Sequence, residues 1–139
     1  MKKRLFFTAL ACFILLNAKA QTPSIKWWFN LNDASFGQSA AGDIDGDGFY
    51  ELVFGCYRND SSVYALNAED GTLLWKYNTH VAGAEGCNDV APVIYDIDND
   101  SLLEVIVPSS CNPTTYCFNV LSCTVKCQNR TVGSDSPPT

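Results

Sequence analysis

Beyond residue 25 the chain is built of short apolar runs separated by polar bends, and none of the runs repeats with the period of a helix. Leu52-Val53-Phe54, Val63-Tyr64-Ala65-Leu66, Leu73-Leu74-Trp75 and Val105-Ile106-Val107 are rich in β-branched and aromatic side chains, as strands are. Residues 63–75 read as strand, tight turn and strand, with Asp70-Gly71 as the hairpin signal. Ile25-Lys26-Trp27-Trp28-Phe29-Asn30-Leu31 resembles the Leu73–Asn78 run and predicts a further strand. The large aromatics of these runs are expected to pack between sheets.

The pattern repeats. A shift of 52 residues carries Tyr64 onto Tyr116, Asn67 onto Asn119, Thr72 onto Thr124 and Thr79 onto Thr131. Each unit is a hairpin, a strand, a turn and a strand, or about four short strands, the content of one propeller blade. The expected fold is all-β: a β-propeller-type repeat of four-stranded antiparallel blades, about two of them present, over residues 21–131. Late in the second unit the copy reads as damaged, because Cys123 and Cys127 replace Gly71 and Trp75 and the Asp-Gly turn is lost. Residues 132–139 form a tail that corresponds by register to the start of another blade. A closed propeller takes about four to eight blades, and repeat units do not bury their faces alone. A fragment or one piece of a larger assembly is therefore expected.

The bends carry the chemistry. Asp43-Ile-Asp45-Gly-Asp47-Gly-Phe-Tyr-Glu51 and Asp96-Ile-Asp98-Asn-Asp100-Ser-Leu-Leu-Glu104 each place carboxylates at positions 1, 3, 5 and 9, and they start 53 residues apart. Carboxylates at every second residue of a curling backbone converge, and a hard cation such as Ca²⁺, which takes about six to eight oxygen ligands, makes that crowding favourable. An EF-hand also opens Asp-x-Asp-x-Asp-Gly, but it closes with Glu at position 12 and lies between helices. Here Glu stands at position 9 between extended flanks. The expected ligands are Asp43, Asp45, Asp47, Glu51 and the Phe49 carbonyl in loop one. In loop two they are Asp96, Asp98, Asp100, Glu104 and the Leu102 carbonyl. Gly48 suits the tight turn and Ser101 replaces it in loop two, predicting poorer geometry and lower affinity there. The alternative is a pair of solvated acidic turns with no metal.

Lys2-Lys3-Arg4, an apolar run from Leu5 to Leu16, and Ala18-Lys19-Ala20 form a signal-peptide pattern over residues 1–20. The run is short for an uncleaved membrane anchor, and Cys12 lacks the leucine expected ahead of a lipoprotein cysteine. Cleavage would leave 5 basic residues against 15 acidic ones, a charge of about −10. That excess argues against nucleic acid as a partner, since such binding needs basic surfaces, and against anionic membranes. No membrane insertion is expected after cleavage.

Cys56, Cys87, Cys111, Cys117, Cys123 and Cys127 would remain, and an exported protein is expected to pair them. If loop two is a hairpin tip, Cys87 and Cys111 lie at similar distances from it, so that pairing is geometrically feasible. No Cys-x-x-Cys pair points to zinc or redox work. His80 reads as a surface residue of a connecting loop. There is no Gly-x-Ser-x-Gly elbow and no phosphate-binding glycine loop, and most carboxylates are committed to the bends. The Asn-x-Ser/Thr triplets at Asn59, Asn99 and Asn129 match glycosylation sites.

Phe36-Gly37-Gln-Ser-Ala-Ala-Gly42, the acidic loop that follows, and Glu51-Leu-Val-Phe-Gly55 resemble the FG-GAP/VCBS repeats of integrin-α propellers and exported bacterial proteins. Ala91-Pro92-Val93 and loop two repeat part of that pattern. Residues 63–75 are also similar to blades of PQQ-like quinoprotein propellers. The FG-GAP resemblance implies calcium in the blade hairpins and a secreted or cell-surface, non-catalytic platform. It implies adhesion or recognition, with an extracellular protein or glycan ligand, or further propeller blades, as partner. The alternative is a part of a secreted enzyme, either a polysaccharide-degrading protein or a PQQ-like dehydrogenase, because a fold hosts many functions.

Overall fold

The computed structural model describes residues 22–130, so the expected leader and the tail after residue 131 lie outside it. Eight strands form: β1 (Ala40–Gly42), β2 (Glu51–Gly55), β3 (Ser62–Asn67), β4 (Leu73–Asn78), β5 (Val93–Tyr95), β6 (Glu104–Ser109), β7 (Thr114–Asn119) and β8 (Thr124–Arg130). They make two antiparallel four-stranded meanders, β1-β2-β3-β4 and β5-β6-β7-β8, each of propeller-blade form. Among the described residues no helix is long and apolar enough to cross a membrane.

Alternation along the strands decides the core. Val53, Ala65 and Trp75 are cross-strand partners on one face of the first sheet, as Val105, Phe118 and Val125 are on the second. The two faces meet in one cluster with Ile44, Val63, Val107, Tyr116 and Val120. Trp75 lies 6.0 Å from Phe118 and Tyr77 lies 4.8 Å from it, ring centre to ring centre. These aromatics do pack between the blades. Burial of a single side chain of this size stabilises by about 1.5–3 kcal/mol.

Two expectations are corrected. First, residues 25–31 form no strand. Trp27 instead donates its indole N–H to Ala68 O at 2.8 Å and lies against the bare backbone of Gly71, while Phe29 packs edge-on to Tyr64. Trp28 is 75% exposed. The segment straps the outer face of the first sheet, and the Asn32 amide bonds Asp60 at 3.1 Å. Second, the divergent end of the second unit is whole. β7 and β8 pair along their length, and Cys123 takes the left-handed conformation of Gly71, at φ 49° against 77°. Both units even carry the same bulge, between Ala65 and Leu66 in one and between Cys117 and Phe118 in the other.

The connection between blades, residues 79–92, crosses the end of the first sheet. A Cβ on Gly55 would fall 1.9 Å from Asn88 O, so only glycine admits that crossing. Thr79 and Asn88 are buried and bonded to each other, at 2.9 Å for the Asn88 amide. The Cys87–Cys111 disulfide, with Cα atoms 5.0 Å apart, ties the connection to the β6–β7 turn.

Candidate metal centre

Residues 43–50 join β1 to β2 and residues 96–103 join β5 to β6. Their curl comes from left-handed backbone at matched places: Gly46 and Gly48 at φ 80° and 91°, Asn99 and Ser101 at 60° and 69°. Loop two therefore keeps the geometry that its Ser101 was expected to spoil. It does so against the steric cost of a side chain there, about 1–2 kcal/mol.

Hydrogen bonds then aim the carboxylates. Asp43 accepts from the Gly46 and Gly48 amides at 2.8 and 3.1 Å, and Asp96 from the Asp100 and Ser101 amides at 3.2 and 3.0 Å. Glu51 Oε2 accepts from the Ile44 amide at 2.8 Å and Glu104 Oε2 from the Ile97 amide at 3.0 Å. Each glutamate is the first residue of its strand and is 0% exposed.

Oxygens of Asp43, Asp45 and Glu51 thus converge within 4.8 Å of one another, and those of Asp96, Asp98 and Glu104 do the same. Asp47 and Asp100 lie further along, accepting from the Phe49 and Leu102 amides, both at 2.8 Å. The Phe49 and Leu102 side chains are exposed and have no donor atom, so only their carbonyls are available to a cation.

The loops differ in what surrounds the second oxygen of the glutamate. Glu51 Oε1 is buried and has no hydrogen-bond partner. Burial pushes the Glu51 carboxyl up; the Ile44 amide opposes this, and the charges of Asp45, Asp47 and Asp43 add to it. A buried carboxylate oxygen without a hydrogen-bond partner, in an all-oxygen cluster, fits a hard cation. In loop two Glu104 Oε1 accepts from Lys126 Nζ at 2.6 Å. The same ammonium lies 2.7 Å from Asp98 and 3.5 Å from Asp100. It holds the Asp98 carboxyl below its usual range.

Lys126 was not singled out from the sequence. The available signal was the repeat itself, since a shift of 52 places it on Leu74. Both are the extra residue at the shared bulge. His80 is exposed, as expected, and lines an open polar cleft with Arg58, Asp60 and Glu85.

Comparison with known proteins bears on the family and the fold. The family of FG-GAP-like repeats matches residues 43–107, from the first acidic loop to β6. The rhamnogalacturonan endolyase YesW of Bacillus subtilis is 30% identical over 97 residues, which is 61% of this chain and 15% of the enzyme. The rhamnogalacturonan exolyase YesX of the same organism is 30% identical over 101 residues, 64% of this chain and 16% of the enzyme. The chain therefore spans about a sixth of either relative. Among solved structures, BamB from Moraxella catarrhalis superposes with a TM-score of 0.56 at 20% identity, covering 84% of this chain and 30% of that one. That likeness concerns the fold alone. Residues 43–107 match the FG-GAP-like repeat family, and the described residues around them form two adjoining four-stranded sheets of propeller-blade form.

Proposed function

We propose that this chain is an exported, calcium-binding propeller-repeat module that acts as a rigid, non-catalytic platform for a glycan or protein ligand. The observation that carries the calcium reading is the buried, unpartnered Glu51 Oε1 among the oxygens of Asp43 and Asp45. A bound Ca²⁺ would satisfy that atom, neutralise the crowded carboxylates and fix the β1–β2 hairpin against the core residue Ile44. Its role would be structural, at the affinity of extracellular modules, with Kd about 10⁻⁴ to 10⁻³ M. The Cys87–Cys111 disulfide supports export to an oxidising compartment. Further blades, on this chain or another, would cover the outer face of the second sheet. The test is thermal unfolding with chelator and then with excess Ca²⁺. Calcium is expected to raise the melting temperature reversibly; an unchanged melt would overturn the reading.

A second reading is favoured by the two lyase relatives: a non-catalytic part of a polysaccharide-acting protein. Rhamnogalacturonan would then be the ligand. Retention of the chain on immobilised rhamnogalacturonan without cleavage supports it, and cleavage would make the chain an enzyme in its own right.

A further inference from the structure

We propose that Lys126 is a built-in cation of loop two, so that the two homologous loops have different occupants: a divalent ion in the first and a lysine ammonium in the second. The inference rests on the calcium reading of loop one and extends it to the repeat. Three facts carry it. The Lys126 ammonium makes contacts of 2.6, 2.7 and 3.5 Å with Glu104, Asp98 and Asp100. It reaches them from β8 because the bulge opposite Cys117 and Phe118 inserts one extra residue there, and that residue is Lys126. The bulge of the first blade offers Leu74 instead, which packs against the core and leaves Glu51 Oε1 without a partner.

The ammonium nitrogen engages the Glu104 and Asp98 oxygens, two of those that Ca²⁺ would need at about 2.3–2.6 Å. Ammonium and metal would compete for those oxygens. A metal entering loop two must first expel Lys126, which breaks its ion pairs with Glu104, whose carboxylate is 0% exposed, and with Asp98. Loop one asks for no such displacement. Loop two should thus bind Ca²⁺ about tenfold or more weakly than loop one. Its blade would stay closed when external calcium falls, while the first blade loosens.

Calcium titration calorimetry on the full chain tests this. The wild type should show one site, or a second that is about tenfold or more weaker; Lys126→Met should show two comparable sites, Lys126→Arg the wild-type pattern, and the Glu51→Gln, Lys126→Met double variant one site. The melting temperature of Lys126→Met should also depend more steeply on calcium than that of the wild type, which reads the same effect if that variant is poorly folded without metal. Two equal sites in the wild type, or one site in a folded Lys126→Met, would overturn the role of Lys126 and leave the calcium reading standing. No calcium uptake by the wild type or Lys126→Met would overturn both.

Discussion

Glu51 and Glu104 sit 53 residues apart at the same place in successive blades, and they differ only in what meets their second oxygen. Each bonds a loop amide through Oε2. Glu104 Oε1 then meets the Lys126 ammonium, whereas Glu51 Oε1 meets no protein group. On the calcium reading proposed above, the difference assigns the external cation to the first blade.

Glu51→Gln should remove that need. The variant keeps the shape but drops a buried charge that is repelled by Asp43, Asp45 and Asp47. Without metal it is expected to be as stable as the wild type or about 1 kcal/mol more so. In excess Ca²⁺ it should be the less stable of the two. Paired chemical denaturation with and without chelator checks the change of sign.

The Cys87–Cys111 bridge closes a loop with a sequence separation of 24 and anchors the inter-blade connection. Its removal by Cys87→Ser with Cys111→Ser should cost about 3 kcal/mol. Urea unfolding of the two proteins measures it, and an unchanged midpoint would mean that the Thr79–Asn88 contacts hold the connection alone.

Asp60 sets the behaviour in acid. Burial pushes its carboxyl up, but hydrogen bonds from Tyr64, Ser62 and the Asn32 amide, with the nearby Lys76 ammonium, outweigh burial and hold it below the usual range. Tyr64 donates to it at 2.7 Å and Lys76 Nζ lies 3.4 Å away. A lowered value in the folded state means stability that is present above the unfolded value, near 3.8, and lost as pH falls through the folded one. Asp60→Asn should flatten this loss. Its unfolding free energy should be lower than that of the wild type at neutral pH, with the gap narrowing below about pH 4.

The blades and the acidic loops were legible in the sequence because each rests on local signals. Carboxylates at every second residue, a glycine at a left-handed turn and short β-branched runs act within a few residues. The strap from Ile25 to Leu31 was misread because an aromatic strand and an aromatic strap share a composition. What separates them is the Trp27 indole meeting Ala68 O, a contact across 41 residues. The β7–β8 turn was read as damaged because Cys123 replaces Gly71, yet the surrounding pairing holds Cys123 at a positive φ. Lys126 stayed hidden for a third reason. Its access to loop two depends on a bulge, and a bulge is a property of paired strands.

The most direct measurement is a crystal structure of the full chain grown in millimolar Ca²⁺. An ion is expected about 2.3–2.6 Å from oxygens of Asp43, Asp45 and Glu51, Oε1 of Glu51 included, with Lys126 still seated against Glu104 and Asp98. A vacant first loop with its carboxylates turned to solvent would contradict the account.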